Sequence, residues 1–190
     1  MTTNAPATAT TSLTPGLRAV HHIAFTVPDL DEAVAFFTGV LGAEEAYRTG
    51  PIAADDDWMH RQLGVDPRAT VHIAMLRFGP ALNLELFEYT GPGRRERMPR
   101  NSDVGGHHLA LWTDDFDASV RHLTATPGVR MLGEPEEVGA GPIRGTRWVY
   151  LTTPWGLHFE LVHAPDRQPY QDHTAVRLYR PGAPHEGRGT

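Results

Sequence analysis

Between residues 17 and 164 the chain mixes two hydrophobic periods. Short runs alternate apolar and other residues with period two, the pattern of a strand with one buried face. Longer runs place apolar residues three and four apart, the stripe of a helix lying on a core. In the first strand-like run Ile23, Phe25 and Val27 share one side, and His22, Ala24 and Thr26 share the other. Asp29 follows, a residue that caps helices by accepting a backbone N–H bond. A helix is predicted over 30–41, with Ala33, Val34, Phe36, Phe37 and Leu41 as its apolar stripe. Strands are predicted at 44–48, 70–78 and 82–89.

The same order returns later in the chain. HHIAFTVPDLDEAV (21–34) matches HHLALWTDDFDASV (107–120) at a shift of 86 residues, with both His, one Ala, both Asp and the final Val identical. The second copy predicts a helix over 116–126 after Asp115, then strands at 129–132, 147–152 and 157–163. Each half therefore reads β-α-β-β-β, and the class is α+β. The expected divisions are a disordered tail over 1–16, a first module over 17–91, a linker over 92–104, a second module over 105–164 and an arm over 165–190. The end of that arm, 181–190, is expected to be mobile. The first module carries an insert at 51–69, within which 55–64 reads as a short helix.

Composition narrows the chemistry. The 190 residues include 11 His and no Cys, with 17 basic and 23 acidic side chains for a net charge of -6. Thiolate metal sites, disulfides and cysteine nucleophiles are excluded. Mild acidity argues against nucleic-acid and membrane-surface partners. The N-terminal residues lack signal-peptide character, and no apolar run approaches the roughly 20 residues of a membrane helix. A cytoplasmic protein is expected.

Strand alternation selects which His residues matter. In the fourth strand of the first half Leu82, Leu84 and Leu86 oppose Asn83, Glu85 and Phe87. In the last strand Leu157, Phe159 and Leu161 oppose His158, Glu160 and Val162. Each half thus sets one His and one Glu on the non-aliphatic face: His22 with Glu85, and His108 with Glu160. A single His or Glu on a strand face is ordinarily structural. Its repetition in both copies points to a divalent metal held by two imidazoles and two carboxylates, a donor set suited to Zn, Ni, Co, Mn or Fe(II). His21 and His107 fall on the opposite face, and Glu88 reads as a solvated or strand-end carboxylate. Trp58, Met59, Phe87, Trp112 and His158 are candidates to line a substrate pocket, with core packing as the plainer role of the aromatic and sulfur side chains. Arg147 is a candidate to hold an anionic substrate group.

These motifs resemble the vicinal oxygen chelate superfamily, which includes glyoxalase I, methylmalonyl-CoA epimerase, extradiol dioxygenases and bleomycin- or fosfomycin-resistance proteins. The resemblance spans about 18–164 and rests on 21–42, 82–89, 105–120 and 153–162. It implies two βαβββ modules in a cupped, partly open antiparallel-type barrel around one metal. It also implies a small substrate chelating through adjacent oxygens, and a homodimer. The family's ligand positions fall on His22, Glu85, His108 and Glu160. This set resembles glyoxalase I most, with epimerases next, and implies a metal-dependent lyase or isomerase working through an enolate-like intermediate. Glu160 is then the first choice of base and Glu85 the second. A ring-cleaving Fe(II) dioxygenase and a natural-product binding protein are the alternatives.

Overall fold

A computed structural model describes residues 14, 15, 17 and 19–181. Most of the expected tail and the end of the arm lie outside the described residues. The chain divides into two units, 1–94 and 95–190.

In the first unit the strands are β1 (Ile23–Thr26), β2 (Glu44–Ile52), β3 (Thr70–Phe78) and β4 (Leu82–Thr90), with helices α1 (Leu30–Gly39) and α2 (Trp58–Leu63). The sheet order is β1-β4-β3-β2. It is antiparallel except for β1 and β4, which pair in parallel. Asp29 caps α1 by accepting the Glu32 N–H at 2.8 Å. Leu30, Ala33, Val34, Phe36 and Phe37 are buried on the sheet side of α1. Leu84 and Leu86 are fully buried beneath it, so this face of β4 is core and the Glu85 face is the other one.

The strand expected over 44–48 runs on to Ile52. Gly50 and Pro51 lie within it, and β2 is an edge of the sheet, where a Pro is tolerated. The register shifts between Thr49 and Ile52 absorb them. The insert supplies α2, whose Met59 is fully buried with Ala69 and Val71, and Ile73, Phe87 and Tyr89 pack against that cluster. Val71 pairs with Tyr89, Ile73 with Phe87 and Met75 with Glu85. The insert therefore covers one end of the face that carries Glu85.

The second unit holds β5 (His108–Trp112), α3 (Phe116–Ala125), β6 (Arg130–Met131), β7 (Glu136–Glu137), β8 (Arg147–Thr152) and β9 (His158–His163). The sheet order is β5-β9-β8-β6, with β7 also on β8 and β5–β9 the parallel pair. Asp115 caps α3 through the Ala118 N–H at 2.9 Å. Phe116 and Leu123 of α3 are buried, as are Val149, Leu151, Phe159 and Leu161 of β8 and β9. The two-residue β7 is an addition to the expected order; Glu-Glu has no apolar alternation to mark it. The arm folds back on this unit. The Tyr170 N–H donates to the Pro142 carbonyl at 3.0 Å, and the Arg180 guanidinium donates to the Ala164 and Pro165 carbonyls.

Candidate functional site

Parallel pairing of the first and last strands builds the same local arrangement in each unit. In the first, Ala24 is the register partner of Glu85, and His22 lies two residues before Ala24 on the same face. His22 Nε2 stands 3.1 Å from Glu85 Oε2. In the second, Ala110 is the partner of Glu160, and His108 Nε2 stands 3.2 Å from Glu160 Oε2. All four side chains are partly exposed.

These separations suit a shared cation. Two ligands each about 2.1 Å from one metal, at right angles or a tetrahedral angle, stand roughly 3.0–3.4 Å apart. Each pair meets that spacing and offers one imidazole nitrogen and one carboxylate oxygen. The structure gathers no group of three or more His, Asp or Glu side chains at one metal-binding point among the described residues.

The other nitrogen of each imidazole has its own partner. His22 Nδ1 is 2.8 Å from His21 Nδ1, with the rings edge-to-face. His108 Nδ1 is 3.2 Å from Asn101 Oδ1. His21 thus touches the His22 ring, and its carbonyl accepts a bond from the Asn83 amide. Metal-binding His residues generally use the second nitrogen in this way, which orients the ring.

Tyr150 belongs to this face and was not among the expected site residues. It is the register partner of Glu160, and its ring meets His108 edge-on with centroids 5.1 Å apart. Burial first, and the Glu160 charge second, push its hydroxyl above the ordinary tyrosine value, against a smaller opposing bond from Asn101. Tyr89 in the first unit shifts the same way, by burial and then the Glu85 charge. Alternation along 147–152 separates Tyr150 from Val149 and Leu151. The sign that could have found it was the strand itself, read across from Glu160. Trp148 lies on the same side, against Tyr150.

The remaining candidates scatter. His158 is the register partner of His108 and shares its face. Phe87 lies on the Glu85 face, stacked on Tyr89 at 5.6 Å. Trp58 begins α2 and is exposed. Trp112 bonds Asp114 through its indole N–H, and the Arg180 guanidinium lies 4.6 Å over its ring. Two candidates have their partners elsewhere. Met59 is a core residue, because α2 turns it inward onto Ala69 and Val71. Arg147 turns to the helix side, where it pairs with Asp117 at 2.7 Å and lies over the Phe116 ring. It shares that side with Val149 and Leu151 rather than with Glu160. Arg147→Ala should therefore change kcat/KM by less than about twofold, as surface substitutions away from a site do; a large rise in KM alone would restore it as a substrate contact. Glu88 likewise has a defined task, accepting the Leu30 N–H at 3.0 Å at the start of α1, where a carboxylate suits the helix dipole.

A cleft of about 370 Å³ opens in the first unit beside the insert, lined by Thr26, Val65, Asp66, Tyr89 and Arg94 among others. Thr26 carries the His22 face toward it. Its volume is within the range of small-ligand sites.

Comparison with known proteins places these features. The family described as glyoxalase/bleomycin resistance protein/dioxygenase superfamily matches residues 21–147. The chain is 58% identical over 167 residues to an Actinomyces protein named 2-epi-5-epi-valiolone epimerase, covering 88% of this chain and 91% of the relative. It is 26% identical over 140 residues to human mitochondrial methylmalonyl-CoA epimerase, covering 73% and 70%. Among solved structures, a glyoxalase family protein from Bacillus cereus superposes with a TM-score of 0.62 at 22% identity, covering 81% of this chain and 99% of that one. These relatives meet the expectation of an enzyme: two are named epimerases. No helix among the described residues is long and apolar enough to cross a membrane.

Proposed function

Since the chain belongs to the glyoxalase/bleomycin resistance protein/dioxygenase superfamily, we propose that it is a metal-dependent epimerase of a small hydroxylated ketone. The substrate is 2-epi-5-epi-valiolone, named in its Actinomyces relative, or a molecule close to it. The observation that carries this reading is the His–Glu pair repeated in both units at 3.1 and 3.2 Å. In this reading His22, Glu85, His108 and Glu160 hold one divalent cation (Zn, Ni, Co, Mn or Fe(II)). When bound, the cation supplies positive charge that stabilises charge developing on a carbonyl oxygen.

The chain's own residues then move the proton. Inverting a carbon beside a carbonyl requires removing its proton and returning one to the opposite side. Glu160 accepts the proton at its carboxylate, and Glu85, its counterpart in the first unit, returns one. His22 and His108 each offer a ring nitrogen beside their Glu. Tyr150, like any tyrosine, keeps its proton at neutral pH, and burial and the nearby Glu160 charge push its hydroxyl further in that direction. Its hydroxyl can therefore donate to a substrate oxygen throughout the cycle.

Metal analysis and solvent exchange test the proposal together. Protein purified without chelator should carry about one equivalent of divalent metal. With that metal it should wash deuterium from D₂O into 2-epi-5-epi-valiolone. Chelation should stop the exchange, and adding one of the five cations should restore it. Less than about 0.2 equivalents, with no restoration by any cation, would falsify the metal reading. Oxygen consumption during turnover would instead assign a ring-cleaving dioxygenase. Tight binding of an aromatic natural product that survives His22→Ala and Glu160→Ala would assign a binding protein.

A further inference from the structure

We propose that His158 is a specificity-determining residue, the group by which this protein recognises a hydroxyl of its ketone substrate. This role deepens the epimerase reading and rests on it for the kind of substrate.

β9 is an inner strand, with β5 on one side and β8 on the other. His158 therefore has a register partner on each side, His108 on β5 and Thr152 on β8. It shares the face of Glu160, two residues further on, while its neighbours Leu157 and Phe159 are buried on the opposite face. The side chain is half-buried. Its imidazole makes no hydrogen bond or ion pair among the described residues. The His22 and His108 rings, by contrast, are contacted at both nitrogens. A half-buried ring nitrogen without a protein partner takes one from water or from a ligand, because leaving it unsatisfied is costly. Whichever nitrogen carries the hydrogen, a neutral imidazole offers one donor and one acceptor, and a hydroxyl can meet either.

The first unit has no such group at the matching place. Counted back from the Glu of each unit, Asn83 corresponds to His158 and, on the adjoining strand, Met75 corresponds to Tyr150. The Asn83 amide N–H is committed to the His21 carbonyl at 3.0 Å. Met75 offers a thioether, a weak acceptor with no hydrogen to donate. Ile73, next on that face, packs against the cluster around Met59. The repeat thus reproduces the His–Glu pair but not its surroundings. Glu160 has an unpaired imidazole beside it on its own strand and a phenol across from it on β8, whereas Glu85 faces a thioether.

Spacing suits the same conclusion. His158 and Glu160 lie roughly 6.7 Å apart along β9, two residues of strand rise. A small hydroxylated ketone spans that distance, with its reacting C–H at the Glu160 carboxylate and a hydroxyl further round the molecule at the His158 ring. A ketone lacking that hydroxyl leaves the ring without a partner, so the site favours polyhydroxylated substrates over deoxy ones.

Isothermal titration calorimetry of the full chain, purified without chelator, reads this recognition. The probes are 2-epi-5-epi-valiolone and a set of analogues each lacking one hydroxyl. One analogue should bind the wild type about 10-fold more weakly than the parent ketone, the worth of one hydrogen bond. His158→Leu should weaken the parent by the same factor and bind that analogue as the wild type does, because both changes remove the same bond. His158→Gln should retain most of the affinity for the parent, since its amide also donates and accepts. Metal content should match the wild type in both variants. If His158→Leu does not give the wild-type circular dichroism spectrum, His158→Phe takes its place. Unchanged parent binding in His158→Leu, or an equal further loss with every analogue, overturns the proposal. So does a loss of metal from the variant, which would make His158 a ligand. If the shared loss appears but the wild type exchanges no deuterium into the ketone, the recognition stands and the epimerase reading fails. If the wild type binds none of these ketones, both fall.

Discussion

Glu160→Gln is expected to lower deuterium uptake at the reacting carbon of the ketone by about 10²–10⁴-fold, the range for loss of a positioned base. Gln has nearly the shape of Glu and still offers an oxygen to His108, but its amide does not take up a proton at neutral pH. Glu160 faces away from the core, since its neighbours Phe159 and Leu161 are the buried ones. The substitution should therefore leave the unfolding midpoint within experimental error. Metal content measured on the same sample separates the two roles of the carboxylate. A variant that retains metal and loses exchange has lost the base, and one that loses both has lost a ligand. Glu85→Gln should show a loss of the same kind, with the smaller effect if Glu160 is the principal base. A Glu160→Gln enzyme retaining more than about a third of wild-type exchange would remove Glu160 from the proton path, given the size of effect expected of a base.

The largest expected loss of stability comes from the residue next to it. Phe159→Ala should destabilise the protein by about 3–5 kcal/mol, through lost burial plus the cavity left behind. Phe159 is fully buried, and its register partners are Leu109 on β5 and Leu151 on β8. It occupies the centre of the second unit's sheet, so few neighbours can close the gap. Because His158 and Glu160 flank it on the opposite face, the strand that relaxes into the cavity is the one presenting the Glu. Activity should therefore fall together with stability, unlike in Glu160→Gln. Urea denaturation followed by circular dichroism provides the measurement. A loss below about 1 kcal/mol would mean that the site repacks and that Phe159 does not brace β9, since poorly collapsing sites give the larger values.

Which parts were legible from the chain follows from the range of the forces involved. The capping Asp29 and Asp115 and the stripe Ala33–Val34–Phe36–Phe37 act within a few residues, and the helices they announce are present. Strand alternation is equally local. It separated His22 from Ile23 and Glu160 from Phe159 before any pairing was known, and the repeat related one half to the other. β2 overran its expected end because an edge strand tolerates a Pro that an inner one does not, and position in a sheet is not a local property. β7 depends wholly on its pairing with β8.

Side-chain partners mark the limit. Alternation puts Met59 on no strand, and only the seating of the insert on Ala69 and Val71 makes it core. Arg147 reads as a free cation until α3 brings Asp117 and Phe116 beneath it. Glu88 reads as a solvated acid until β4 meets the first turn of α1, 58 residues away in the chain. Asn101 lies in a segment with no period at all, and its contact with His108 exists because a turn closes over Gly106. The 11 His of a Cys-free chain illustrate both sides. Period-two geometry and the repeat suffice to single out His22 and His108 and the face they share with Glu85 and Glu160, because a strand's two faces follow from its own backbone. The partner of each second ring nitrogen, and the tyrosine beside Glu160, come from residues brought together across the fold, and contacts at that distance leave no pattern in the order of the residues.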